Sequence, residues 1–255
     1  MTQPLDLLAI AAHRDDVEQT CGGTLLKAAL RGQRTGILDL TQGEMGTRGT
    51  ADDRAREAAE AARILKAGFR QALDIPDGRV ENTWANRLKV ARVIREQRPR
   101  VVILPYWRGR HPDHYTCSTL GYEACFLAGL SKLQLEQSAP SDALKAAPPS
   151  ELTGKPHRPF KIVYATLYYD IRPTFVVDIT EQFEARLESL FAYKSQYTDQ
   201  SAGSGDFPAH AEIRERIETM ARFYGLLAGV KYAEPFLQKE VGLVEDLTTI
   251  PVKSI

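Results

Sequence analysis

Apolar residues along the chain fall into short unbroken runs, separated by stretches in which apolar positions recur every three to four residues. Leu5 to Ala11 is the first run; a polar cluster bounds it, the pattern of a strand buried on both faces. Thr20 to Leu30 reads as a helix opened by Gly22-Gly23-Thr24, and Thr35 to Leu40 as a second strand. Residues 41–50 hold three glycines and three threonines, so they form a loop, and its length in a compact domain points to function. Ala51-Asp52-Asp53-Arg54 opens an alanine-rich helix to Leu65 with acidic residues in its first turn. Phe69 to Leu73 is a weak strand and Pro76-Asp77-Gly78 a turn. Asn82 to Gln97 is an amphipathic helix, apolar at Trp84, Leu88, Ala91, Val93 and Ile94, that stops before Pro99.

Arg100 to Leu104 is the most buried-looking strand, followed by a helix from about Tyr115 to Gly129. Ser131 to Pro159 is rich in Ala, Pro, Ser and Lys with little periodicity. It is expected to be a surface excursion or flap inside one domain of residues 1–255, because strand signal resumes at Ile162 to Tyr169 and Phe175 to Asp178. Thr180 is placed to cap a helix from Glu181 to about Tyr193; Ser201 to Gly205 is hinge-like, Ala209 to Leu227 is helical, and the last thirty residues read as a tail. Repeated strand-helix alternation implies an α/β fold, a mostly parallel sheet flanked by helices with right-handed crossovers.

Composition narrows the partners. The 255 residues carry 33 Lys+Arg and 33 Asp+Glu, a net charge of zero without basic blocks, which argues against nucleic acid or a membrane surface. No apolar run approaches the ~20 residues needed to span a bilayer, and the start of the chain lacks a signal-peptide pattern, so a cytoplasmic protein is expected. Cys21, Cys117 and Cys125 form no CxxC pair and suggest neither disulfides nor a zinc-thiolate site; Cys21 reads as a small buried thiol.

Two clusters carry candidate chemistry. His13-Arg14-Asp15-Asp16 leaves the end of the first strand, and His111-Pro112-Asp113-His114 lies just past the Val101 to Leu104 run. In an open parallel sheet both gather beyond the carboxyl ends of the strands. Together they offer His/Asp/His, a three-ligand set for a catalytic zinc with one position left for water. If His13 and Asp16 hold the metal, Asp15 is left beside the water as a base; if His114 is the third ligand, His111 faces the substrate. A protonated His111, oriented by Asp113, suits an oxyanion and a leaving amine, so the set fits metal-assisted amide hydrolysis. Two blander readings stand beside it: HRDD as a turn capped by its own carboxylates, and HPDH as an ordinary helix start with Asp113 as cap. No Walker loop or GxGxxG pattern is present to support nucleotide or hydride chemistry.

At these residues the chain resembles the LmbE-like, or PIG-L, family of zinc-dependent N-acetylglucosamine deacetylases, over Leu5 to about Phe236. It is most similar to the branch that removes acetyl from N-acetylglucosaminyl-malate in bacillithiol biosynthesis. The Thr41 to Thr50 loop, Arg54 with Glu57-Ala58, the Phe191 to Tyr197 segment, and Ala221 to Gly225 with Gly229 to Phe236 carry that likeness. The resemblance implies a Rossmann-like fold and a soluble homo-oligomer, trimer or hexamer, acting on a small amino-sugar substrate. It implies His13, Asp16 and His114 as ligands of Zn²⁺ (Fe²⁺ suits the same donors), with Asp15 as general base and His111 as the charged electrophile with Asp113 behind it. Arg54 would meet the malate carboxylates and Tyr193 the pocket mouth. One departure is Arg14, where the family usually has proline; it is expected to loosen the turn or to place a positive charge near the site. Another amino-sugar deacetylase, a thiol-conjugate amidase and a sugar-binding protein without catalysis are the competing readings.

Overall fold

The computed structural model describes residues 3–133, 155–166, 170–197, 210–250 and 252. Residues 134–154 of the expected excursion, residues 167–169 of the expected fifth strand, and the 201–205 hinge lie outside the described residues.

Among the described residues seven strands form one sheet: β1 (Leu7–Ala11), β2 (Thr35–Asp39), β3 (Phe69–Ala72), β4 (Val101–Pro105), β5 (Lys161–Ala165), β6 (Phe175–Asp178) and β7 (Ala233–Leu237). Their order is β3-β2-β1-β4-β5-β7-β6. The first five are mutually parallel, and β7 runs antiparallel to both β5 and β6. The fold is therefore α/β and Rossmann-like, with a mostly parallel, mixed sheet. Chain order reverses between β1 and β4, which pair directly with Leu7 opposite Val101. That reversal opens a crevice at the strands' carboxyl ends.

The helices are α1 (Asp16–Thr20), α2 (Gly22–Leu30), α3 (Ala51–Ile64), α4 (Trp84–Gln97), α5 (Pro112–Ala128), α6 (Phe183–Phe191), α7 (Lys194–Tyr197) and α8 (His210–Leu226). On one face of the sheet Leu8, Ile10, Val102 and Leu104 pack with Leu88, Val90 and Ile94 of α4 and with Cys117, Leu120 and Ala124 of α5. On the other, Ala9, Ala11, Ile37 and Ile103 pack with Val17, Leu25 and Leu26. Among the described residues no helix is long and apolar enough to cross a membrane.

Four local expectations are corrected. The helix expected from Thr20 begins at Asp16 and breaks at Cys21, whose φ of −144° ends one helix and starts the next. The helix expected from Tyr115 begins at Pro112, because proline suits a first helical turn and His111 accepts the Asp113 N–H as its cap. Thr180 caps nothing: its hydroxyl donates to Asp178 Oδ1 and accepts from Tyr232 N, and Gln182 precedes α6.

The expected tail, finally, contains β7, whose Ala-Glu-Pro-Phe-Leu sequence hides a strand behind a charge and a proline. Glu234 is buried there for a reason. Its carboxylate accepts from Gly23 N (2.9 Å), Thr24 N (2.7 Å) and Thr24 Oγ1 (2.6 Å), which satisfies the open N–H groups at the start of α2 from across the sheet. Arg186 Nε adds an ion pair at 3.2 Å. A Cβ at Gly23 would stand 3.0 Å from Glu234 Oε1, so glycine is what lets the carboxylate reach the helix. Glu234→Ala leaves a buried guanidinium and two amides without that acceptor; chemical denaturation is expected to show a loss of about 3–5 kcal/mol.

Candidate metal centre and active site

His13 lies two residues past the end of β1, Asp16 opens α1, and His114 sits in the first turn of α5. Because β1 pairs with β4, the two turns face each other across the crevice. His13 Nδ1 lies 3.1 Å from His114 Nε2 and 3.5 Å from Asp16 Oδ2, and His114 Nε2 lies 3.2 Å from Asp16 Oδ1. Ligands at about 2.0–2.1 Å in a tetrahedron about zinc stand roughly 3.3 Å apart. The two ring nitrogens and the Asp16 carboxylate, which meets them through different oxygens, are thus close enough to share one small cation.

Charge supports the same reading. Asp16, Asp77 and Asp113 all reach His13. Burial works against a charged His13, yet these carboxylates raise its pKa to about 12. Burial likewise opposes ionisation of Asp16, but His114 and His13 hold its carboxyl well below the usual range. Carboxylates thus surround the His13 ring on both sides. His13, Asp77 and Asp113 also form a group able to hold a metal, through the other ring nitrogen, Nε2, at 3.1 and 3.4 Å. Those carboxylates already accept backbone N–H groups, Asp77 from Met45 and Asp113 from Gly78 and Val80, and the two acidic oxygens take the place of acceptors behind the ring.

Asp15 stands outside this set. Arg54 Nη2 reaches its Oδ1 at 3.2 Å and Tyr197 donates its hydroxyl to Oδ2 at 2.7 Å. Arg54, 5% exposed, thus pairs with Asp15; Gly43 and Gly46 of the 41–50 loop pack directly on its guanidinium. The segment bearing Tyr197 is tied to that loop, since Arg48 Nη1 donates to Gln196 O and Gln196 Nε2 donates back to Arg48 O. Tyr197 escaped the sequence reading; the second tyrosine of Phe-Ala-Tyr-Lys-Ser-Gln-Tyr was its only signal.

His111 and Asp113 are not a pair of the expected kind. The His111 ring Nδ1 accepts the Asp113 N–H at 3.2 Å, so HPDH is a helix start with His111 as its cap. The Asp113 carboxylate points instead to Gly78 N, Val80 N and His13. Burial, with His13 and His114 nearby, lowers the pKa of His111, against an imidazolium. Its ring still stacks on His114 with centroids 5.0 Å apart.

Tyr193 is not at a pocket mouth. It is fully buried, and its hydroxyl donates to Arg14 O and reaches Glu18 Oε1 at 3.3 Å. The same Arg14 carbonyl accepts from Arg70. Arg14 is itself buried, with Nη1 donating to Ala51 O at 2.8 Å. Hydrogen bonds at the carbonyl therefore hold the turn that Arg14 was expected to loosen, and the guanidinium is directed to α3 rather than to His13 and Asp16. Cys21 is a buried thiol whose pKa burial pushes up, an inert neighbour. Beside the donor atoms lies a cleft lined by Asp16, Thr20, Tyr106, Arg108 and His114.

Fold and site together define a Rossmann-like α/β protein with a His/Asp/His cluster at the sheet's switch point. The family pattern described as GlcNAc-PI de-N-acetylase, PIG-L, matches residues 8–125. Diacetylchitobiose deacetylase of Thermococcus kodakarensis is 30% identical over 240 residues, covering 89% of this chain and 80% of that protein. The chain belongs to the PIG-L family of deacetylases. Among solved structures, the conserved protein TT1542 of Thermus thermophilus is similar at 39% identity and a TM-score of 0.79, over 94% of this chain and 98% of that one. The N,N'-diacetylchitobiose deacetylase of Pyrococcus horikoshii shares the fold at 24% identity and a TM-score of 0.76, over 90% and 82% of the two chains.

Placing Tyr193 in the support of the turn predicts that Tyr193→Phe costs about 1 kcal/mol of stability in thermal or denaturant unfolding.

Proposed function

We propose that the chain is a zinc-dependent deacetylase of N-acetylglucosaminides, with N-acetylglucosaminyl-malate as substrate and glucosaminyl-malate and acetate as products, in bacillithiol biosynthesis. The observation that carries the chemistry is the convergence of His13 Nδ1, His114 Nε2 and Asp16 within 3.1–3.5 Å, with the unligated carboxylate of Asp15 alongside. The malate assignment rests on the sequence likeness to that branch. The sugar assignment is supported by the similarity to diacetylchitobiose deacetylase.

His13, Asp16 and His114 would hold the ion. When bound, zinc lowers the pKa of a coordinated water to about 7 and polarises the acyl oxygen. Asp15 takes the proton of the attacking water as its oxygen bonds the acyl carbon, held in orientation by Arg54 and Tyr197. His111 faces the tetrahedral oxyanion. Its Nδ1 is taken by the Asp113 N–H, so Nε2 carries the proton and donates a hydrogen bond as a neutral ring. A neutral imidazole is a poor acid, so the proton needed by the departing amine comes back from Asp15 when the C–N bond breaks. Arg54 serves Asp15, and Arg108, exposed on the cleft wall, is the guanidinium suited to the malate carboxylates.

The chain is further proposed to act in the cytoplasm as a homo-oligomer. Val241, Leu243 and Leu247 are 97%, 93% and 80% exposed, apolar area that a second copy would cover.

Acetate release by metal-stripped protein, with and without Zn²⁺ or Fe²⁺, tests the reading. Metal-dependent release that favours N-acetylglucosaminyl-malate over N,N'-diacetylchitobiose is expected, and release without that preference would remove the bacillithiol assignment. Arg108→Ala is expected to raise KM for the malate glycoside roughly 10-fold or more with little effect on the uncharged sugar. Tyr197→Phe is expected to lower kcat about 10-fold at unchanged KM.

A further inference from the structure

The side of His13 away from the three converging donors is filled by a carboxylate that the family likeness does not mention. Asp77 lies in the turn after β3, where Gly78 adopts a φ of 74°. Its Oδ1 stands 3.1 Å from His13 Nε2, its side chain is 9% exposed, and its Oδ2 accepts the Met45 N–H at 3.0 Å. Asp113 is the second carboxylate near Nε2, at 3.4 Å. Its oxygens receive the N–H groups of Gly78 and Val80 at 2.8 and 3.2 Å, so it braces the turn that carries Asp77.

Ionised carboxylates only accept, so a nitrogen facing two of them carries a hydrogen. With the proton on Nε2, the lone pair of a neutral His13 is on Nδ1, the atom turned toward His114 and Asp16. We propose that Asp77 is a positioning residue for the metal: it takes the Nε2 hydrogen of His13 and thereby presents Nδ1 as the ligand atom. Resting on the metal assignment made above, this extends it from the ligands to their support. Partners of this kind fix the tautomer and ring orientation of a ligating histidine, and their loss costs about 10–100-fold in metal affinity.

Asp77 also connects the metal ligand to the glycine-rich loop. Its backbone N–H donates to Glu44 Oε1 at 2.8 Å while its carboxylate holds Met45 N. The loop that packs on Arg54 and the ring that holds the ion are thus fixed by one residue.

Zinc affinity, measured on the full chain by competition with a chromophoric chelator and with no sugar present, tests this. Asp77→Ala is expected to weaken binding about 10–100-fold. Asp77→Asn, whose amide oxygen still accepts, should lose less, and Asp74→Ala, whose carboxylate pairs with Lys89 on the surface, should bind as the unaltered protein does. His114→Ala should lose far more than Asp77→Ala, since it removes a ligand. Unchanged affinity in Asp77→Ala overturns the proposal. So does a loss as complete as that of His114→Ala, which would put the ion on Nε2 with Asp77 as a ligand. Because the readout is metal uptake, absence of deacetylation would defeat the functional reading and leave this one standing.

Discussion

A single buried guanidinium holds the site together. Arg70, on β3, gives Nε to Asp39 Oδ2 at 2.9 Å and Nη1 to Glu18 Oε1 at 2.6 Å, and donates to the carbonyls of Ala58 and Arg14. Those groups belong to the end of β2, to α1, to α3 and to the turn between His13 and Asp16. Asp39 and Glu18 are almost completely buried, so each would be costly alone. Paired with a five-donor fork they become a rigid knot. The knot fixes Arg14 O, in the turn that His13 and Asp16 close through the His13 N–H.

The catalytic chemistry grows from that rigidity. A catalytic metal needs three donors in place before it arrives and a base that does not collapse onto it. Here Asp16 is committed twice, through Oδ2 to the His13 N–H and through Oδ1 to His114. Asp15, one residue earlier, is drawn the other way by Arg54 and Tyr197. Adjacent carboxylates thus acquire different work because their surroundings pull them apart. The bland readings of both clusters hold as well: Asp16 does cap its turn and His111 does cap α5. Capping and the proposed chemistry fall on the same residues, which is why spacing alone could not choose between them.

Elements with strong local signals were legible in the sequence. β1, β2 and β4 are apolar runs, α3 and α4 have clear openings and amphipathic faces, and two polar clusters after buried strands implied a shared edge. That logic brought His13, Asp16 and His114 together, and the structure does place them side by side. Illegible parts share a cause: their meaning lies in a partner far along the chain. Glu234 in a proline-containing strand makes sense only against the start of α2, 211 residues away from it. Tyr193 and Tyr197 look alike in sequence; one is sealed under Arg14 and the other reaches Asp15, 182 residues distant.

By itself the sequence determined the periodicities, hence the α/β alternation, and the kinds of donor available for a metal and a base. Local patterning suffices there because strand and helix periods are set by the backbone and ligand chemistry by the side chain. Tertiary structure decided which nitrogen of His13 faces His114 and Asp16, that Asp77 stands behind that ring, that Arg54 pairs with Asp15 and that His111 caps α5. Those choices are distances between chain-remote atoms in a buried, weakly screened setting, and only the packed sheet brings such atoms within hydrogen-bonding reach of one another.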